Sequence, residues 1–272
     1  MQVQVIIFSK DRASQLDLLL RSIRKYVRFE HQIKVLYTYS NDDFKKGYHK
    51  LKCYWQNVTF VKEQDFKKDL IANLDTVFSH VMFLVDDDVF VADVNAGDTP
   101  IYGLSSIPEV LTVSLRFGKN ILWDYNYNRA VDQPIFIDPP AGALLWDWTT
   151  ASWGWNYPMS LDGNIFAFSD IYPYVTRGKY YSPNTFEKCM AVRPVRNKPY
   201  VISYDRSRLV GLALNRVQNR YKNKSGSTYT PESLNANFLA GDVIELDRFA
   251  GFVPNACHVD LTDIMFIKRE DE

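Results

Sequence analysis

The chain has 272 residues, 46% of them hydrophobic and 24% charged, and its 32 basic and 32 acidic side chains cancel to a formal net charge of zero. That balance excludes a general nucleic-acid binder, which carries a basic surface, and the length supports a hydrophobic core without covalent staples. Cys53, Cys189 and Cys257 are widely spaced and form no C-x-x-C pair, a pattern that suits free thiols in a reducing compartment.

Val3 to Phe8 reads as a short buried strand. Ala13 to Val27 reads as a helix with Leu16, Leu19, Leu20, Ile23 and Val27 on one face. Ile33 to Tyr39 is a second strand, ending in the polar turn Ser40-Asn41-Asp42-Asp43. A polar helical segment leads to a third strand, Val58 to Val61. Asp65 caps the next helix, whose Phe66, Leu70, Ile71, Leu74, Val77 and Phe78 keep one face apolar. The run Val81-Met82-Phe83-Leu84-Val85 is a fourth strand that ends in Asp86-Asp87-Asp88. Strands alternating with helices imply an α/β fold with a mostly parallel central sheet flanked by helices. The polar loops after strands one, two and four then share one sheet edge, where open α/β sheets bind ligands, and together they make a nucleotide site.

The second half is less regular. Val110 to Leu115 reads as a strand with Arg116 at its end. Residues 118 to 164 hold five of the six tryptophans and the turn Asp138-Pro139-Pro140-Ala141-Gly142. Ser182-Pro183 and Thr230-Pro231 each read as a helix cap and first position, and Gly241 ends the second of these helices. Arg206 to Ser227 is basic, and its later part reads as a mobile loop. No repeat or linker divides the chain, so it is expected to be a single domain over 1–272, with a nucleotide-binding half (1–117) and a second half (118–272). No run approaches the roughly 20 apolar residues of a membrane helix, and Val5 to Phe8 gives way at once to Lys10-Asp11-Arg12, unlike a signal peptide. The expected location is cytoplasmic.

Three adjacent acids at a strand end repel one another and favour a compensating cation. Hard oxygen ligands of this kind suit Mg2+ or Mn2+. Neither G-x-x-x-x-G-K-[ST] nor G-x-G-x-x-G occurs, so a diphosphate would be held by metal and basic side chains. Lys10, Arg12, Lys67, Lys68 and Arg116 lie near the expected pocket edge. The run Arg206, Arg208, Arg216, Arg220, Lys222 and Lys224 is a candidate to close over a diphosphate, to touch anionic lipid at a membrane periphery, or to be a solvated face.

A leading strand, Ser9-Lys10-Asp11-Arg12, a helix, and D-x-D after the fourth strand together resemble a GT-A-fold glycosyltransferase of the family 2 type over residues 2 to 117. The resemblance implies a GT-A-like (Rossmann-like) sheet, a nucleoside-diphosphate sugar donor, a saccharide or lipid-linked saccharide acceptor, and Mn2+ or Mg2+. It places Asp86 toward the nucleotide, Asp88 on the metal, and Ser9, Asp11, Arg12 and Asp42 around base and ribose. Lys10, Ser40, Lys68, Asp87 and Arg116 complete the expected donor site, although strand alternation turns Asp87 away from Asp86 and Asp88. The resemblance also allows His258 as a late metal ligand. No clear Glu-Asp dipeptide stands where many family members keep their base, so Asp162, in Ser160-Leu161-Asp162-Gly163, and Glu187, on the helix after Ser182, are the candidate bases.

Indole rings offer flat apolar faces to sugars, which makes Trp153 and Trp155 candidate acceptor contacts, although most tryptophans serve a core. Two other readings stand beside glycosyl transfer. A sugar-nucleotide pyrophosphorylase would need a glycine-rich loop after the first strand, which Ser9-Lys10-Asp11-Arg12 lacks. A non-catalytic carbohydrate-binding protein would bind sugar nucleotides indifferently to EDTA.

Overall fold

A computed structural model describes residues 1–137, 141–218 and 223–269. The first half follows the alternation expected. It comprises β1 (Val3–Lys10), α1 (Ala13–Tyr26), β2 (His31–Thr38), α2 (Asp42–Tyr54), β3 (Thr59–Lys62), α3 (Phe66–Asn73) and β4 (His80–Val85). Strand β1 pairs in parallel with β2 on one side and β4 on the other, in the registers Lys10↔Thr38 and Phe8↔Val85. The loops after these three strands therefore leave the sheet at one edge.

Strand β1 is buried on both faces, and its side chains divide by parity. Val3, Val5 and Ile7 join a core with α1, while Ile6 and Phe8 join a second core with Phe83, Trp146, Trp155 and Phe166. This is the period-two rule acting on a strand covered on both sides.

Helix α3 is shorter than its apolar pattern implies. It stops at Asn73, and Val77 is 69% exposed. Buried Gln4 explains the stop: its amide donates to the Asn73 carbonyl at 2.9 Å and its carbonyl accepts from the Asp75 backbone N–H at 2.9 Å. Side-chain bonds that satisfy helix-end groups outcompete another turn.

The second half adds β5 (Asp88–Phe90), α4 (Thr99–Ser106), β6 (Val110–Ser114), β7 (Phe136–Ile137), β8 (Ala143–Asp147), β9 (Asn164–Ala167), α5 (Phe168–Arg177), α6 (Pro183–Val192), β10 (Tyr200–Tyr204), β11 (Leu209–Leu212), α7 (Pro231–Leu239) and β12 (His258–Val259), besides short ribbons. The nine-stranded sheet runs β7-β8-β10-β6-β9-β4-β1-β2-β3. Most of its strands run in one direction, as expected, but β9 inserts between β4 and β6 antiparallel to both, and β8 runs antiparallel to β7 and β10. The reversal has a consequence for the site. The start of β9, not its end, meets the edge where β4 and β6 finish, so Asp162-Gly163 reaches that edge, locked by Gly163 N–H to the Phe83 carbonyl (3.0 Å) and Leu115 N–H to the Gly163 carbonyl (3.0 Å).

The helix starts expected at Ser182-Pro183 and Thr230-Pro231 are both capping boxes, and Gly241 follows α7 at φ +92. The early part of the basic run from Arg206 carries strand β11. Residues 219–222, with Arg220 and Lys222, and the turn residues 138–140 lie outside the described residues. Among the described residues, no helix is long and apolar enough to cross a membrane.

Candidate functional site at the carboxyl edge of the sheet

The acidic triplet divides between two environments. Asp86 and Asp87 form a turn between β4 and β5, so strand alternation does not apply there, and Asp87 is not turned away as expected. Both acids reach one guanidinium: Arg12 Nη1 lies 3.0 Å from Asp86 Oδ1 and 2.9 Å from Asp87 Oδ2. Asp86 Oδ2 also accepts from Ser9 Oγ (2.9 Å) and from the Lys10 backbone N–H (3.0 Å). Arg12 is buried, and its other two nitrogens donate to the Asn215 side chain (Nε to Oδ1, 2.8 Å) and the Asn215 carbonyl. Tyr48 completes the cluster, its hydroxyl 2.6 Å from Ser9 Oγ.

Burial pushes the Asp86 carboxyl up to about 6 against the opposing pull of Arg12, with Asp87 adding to the rise. Burial also works against the Arg12 charge, but Asp87 and Asp86 outweigh it and hold the guanidinium above its ordinary value. Arg12 is thus an internal counter-charge. Tyr48 and Asn215, which complete its surroundings, carry no motif in the sequence.

Asp88 is different. It is 1% exposed, its Oδ2 accepts the Val85 backbone N–H at 3.0 Å, and its Oδ1 is buried without a partner. Burial, then the negative charges of Asp162 and Asp87, push its carboxyl well above the usual carboxylate range. Pairing fixes its surroundings: β5 runs antiparallel to β11 with Asp88 opposite Gly211, and β11 runs parallel to β12 with Gly211 opposite His258. A Cβ on Gly211 would lie 2.5 Å from His258 Cδ2, so a side chain there would displace the imidazole. Gly211 is a site residue that composition alone does not reveal.

Asp162 sits between two basic groups, with Arg116 Nη1 at 3.2 Å and His258 Nε2 at 3.4 Å from its Oδ2. Burial tends to raise its carboxyl, but the His258 hydrogen bond and the charge of Arg116 hold it below the usual range. Arg116 is buried, with its Nε unpartnered. Glu187, the fifth residue of α6, is pushed up to about 7 by burial and then by Asp162, although Arg116 and hydrogen bonds with Tyr157 and Ser160 oppose the rise. Burial carries the Cys257 thiol up to about 11, so it is a poor nucleophile beside the Arg116 carbonyl.

Asp88, Asp162 and His258 offer hard oxygen and imidazole donors, and the free Asp88 oxygen is the kind of atom a cation satisfies. The residues fit Mg2+ or Mn2+ by donor chemistry. Among the described residues, however, no three His, Cys, Asp or Glu side chains close into a ready metal cage.

The other expected site residues fall into three groups. Asp11 (φ 57) uses its carboxylate to accept the Ser40 backbone N–H at 2.7 Å, which ties the loops after β1 and β2 together. Lys10 and Asp42 are exposed at that edge, and Asp42 lines a concavity of about 510 Å³ with Lys45, Lys46 and His49. Lys68 is exposed and paired to Asp65 at 3.2 Å, a cap-strengthening contact. Trp155 is 1% exposed and packs against Phe117, Phe136 and Trp146; enclosed in the core, it presents no face to an acceptor. Trp153 remains 41% exposed. Of the basic run, Arg208 lies over the Tyr204 ring and Arg216 donates to the Asn223 carbonyl.

No protein-family model matches the chain. It is 31% identical over 256 residues to the bifunctional glycosyltransferase pgtA of Dictyostelium discoideum, a match that covers 81% of this chain and 33% of that protein. The chain thus spans about a third of the length of this relative. Among solved structures, S. aureus TarS 1-349 in complex with UDP-GlcNAc aligns at a TM-score of 0.45 and 14% identity, covering 77% of this chain and 58% of that one. The same protein in complex with UDP aligns at 0.45 and 13%, covering 92% and 68%.

Proposed function

We propose that this chain is a glycosyltransferase with a GT-A-like fold, akin to the relative it matches, and that it moves a glycosyl group from a nucleoside-diphosphate sugar to a hydroxyl acceptor in polysaccharide or glycoconjugate synthesis. The observation that carries the reading is the convergence at one sheet edge of Asp88, with its unpartnered carboxylate oxygen, and the linked set Asp162, Arg116 and His258. Such a site combines charge stabilisation with a carboxylate base in one place.

Asp88 and His258 would hold Mn2+ or Mg2+, which supplies Lewis-acid stabilisation of a departing diphosphate. The chain's own residues do the rest. Arg12 fixes Asp86 and Asp87 as one rigid turn. Asp11 holds the Ser40 loop in place for the nucleoside. His258 and Arg116 keep Asp162 ionised, so Asp162 is a weak base that is always available. Glu187 is matched to a proton transfer near neutral pH, where a base is most effective, and it takes the acceptor proton if the anomeric centre inverts.

The test is turnover of UDP-sugars and GDP-sugars by the full chain, with and without Mn2+, together with nucleoside-diphosphate thermal shifts. Metal-dependent turnover supports the reading. Sugar-nucleotide binding that is indifferent to EDTA, without hydrolysis or transfer, would favour a non-catalytic carbohydrate-binding protein.

A further inference from the structure

Three non-glycine residues in the described chain adopt the left-handed region: Asp11 (φ 57), Asn128 (φ 50) and Trp153 (φ 49). Asp11 has its explanation in the Ser40 contact. Asn tolerates this conformation, but a bulky ring does so at a cost of about 1–3 kcal/mol that the surroundings must offset. The surroundings are specific. The Arg129 guanidinium lies 3.7 Å from the centre of the Trp153 ring, and Tyr127 meets that ring nearly edge-on at 6.1 Å. Arg129 and Tyr127 belong to a small hairpin in which Trp123–Asp124 pairs with Arg129–Ala130, and Asn128 makes its turn. The ring so fixed still stands 41% exposed, and Tyr127 is 72% exposed.

Short stretches of chain tie this platform to the acid site. Gly154, next to Trp153, lies against the Phe117 ring, and Phe117 follows Arg116. The hairpin is anchored through the Leu122 and Trp123 N–H groups, at 2.9 and 3.0 Å, to the Asn255 carbonyl, three residues before His258.

We infer that Trp153, held by Arg129 and Tyr127, is the stacking platform for the acceptor, and that the acceptor is a saccharide whose apolar C–H face covers the indole. The inference rests on the glycosyl-transfer reading and deepens it. The Arg129 guanidinium stacks over one face of the indole and fixes it, and the area that stays exposed offers a sugar ring a rigid apolar surface for its C–H face, with guanidinium N–H groups close by for hydroxyls. Arg129 spends only its Nε, on the Ala130 carbonyl at 3.3 Å among the described contacts.

The test is binding of the full chain to an immobilised array of neutral mono- to tetrasaccharides, followed by solution titration of any that binds. Wild type should bind at least one. Trp153→Ala should weaken it by about fivefold or more, the scale of a lost stacking contact. Trp153→Gly suits the left-handed backbone without strain, so it tests the same loss in a chain expected to fold well. Tyr102→Ala, which removes an exposed ring on α4, should bind as wild type does. Wild type that binds no saccharide, or Trp153 variants that bind as tightly as wild type, would overturn the platform. Sugar-nucleotide thermal shifts run alongside keep the two ideas apart. Saccharide binding without a donor shift counts against transfer alone, and a donor shift without saccharide binding counts against the platform alone.

Discussion

Asp88→Asn separates stability from function at the centre of the site. The Asp88 carboxylate is fully buried, keeps one oxygen without a partner, and faces the negative charges of Asp162 and Asp87. Asparagine has nearly the same shape, and its amide oxygen can accept the Val85 N–H that Asp88 now accepts. The substitution removes an uncompensated buried charge, whose cost is about 1–3 kcal/mol for an unsatisfied buried group. In EDTA the variant should therefore melt higher, by roughly 2–4 °C per kcal/mol for a chain of this size. The sign of the pH dependence follows from linkage. A carboxyl raised in the folded state binds its proton more tightly there, so its ionisation erodes stability as pH rises from about 4, the unfolded value, through the folded one. At low pH the wild-type group is protonated and resembles Asn, so the gain in melting temperature should vanish near pH 4 and grow above it. In the same variant, Mn2+-supported transfer should fall by about 100-fold or more, the scale of losing one charge-stabilising group. Paired melting curves from pH 4 to 8 and turnover assays measure both. A variant that is less stable in EDTA at pH 7, or one with wild-type turnover, would refute the reasoning.

The remaining expectations use other parts of the same cluster. Glu187 is raised to about 7 and works ionised, so wild-type turnover should rise as pH increases through about 7. Glu187→Gln should flatten that limb and lose about 100-fold or more in rate, while unchanged pH–rate profiles would move the base to Asp162. Gly211→Ala, whose Cβ would sit 2.5 Å from His258 Cδ2, should destabilise by about 1–3 kcal/mol through overpacking. Adding His258→Ala should recover most of that loss in urea titrations, and purely additive losses would dismiss the clash. Arg12→Ala, which strips the counter-charge from Asp86 and Asp87, should cost about 3–5 kcal/mol as a broken buried pair. Equilibrium denaturation near pH 7 measures it, and a loss below about 1 kcal/mol would show that water replaces the guanidinium.

The parallel half was legible because its signals are local. An apolar strand, a polar turn and an amphipathic helix recur three times before Asp86, and that order alone brings the Asp11, Ser40 and Asp86 loops to one edge. The α3 boundary was not legible, since it depends on Gln4, which lies far back in sequence and reads as an ordinary strand residue. The antiparallel β9 was equally hidden: Asn164–Ala167 is four residues long, and nothing local states which neighbours it will separate. Trp153 and Trp155 show the same limit at a site. They differ by two positions and by nothing in composition, yet one is enclosed and the other exposed, because Gly154 and the left-handed backbone at Trp153 turn the chain between them.

The division of the acidic triplet follows from the turn that carries it. Three carboxylates in one strand would alternate, with the outer two sharing a face. Because Asp86 and Asp87 lie in a turn, one arginine from the β1–α1 loop compensates both, and the chain resumes as a strand only at Asp88. That strand pairs with β11, and β11 with β12, so the third acid is carried away from Arg12 and toward His258 by backbone hydrogen bonds. The charge left uncompensated is therefore not a remainder of a crowded cluster. It is set apart by pairing, opposite a glycine that makes room for an imidazole, and burial makes its ionisation costly until something positive arrives. A protein selected for stability alone would place Asn at this position, since Asn keeps the Val85 hydrogen bond without the charge. Retaining Asp there has a physical rationale only if the ionised form is used.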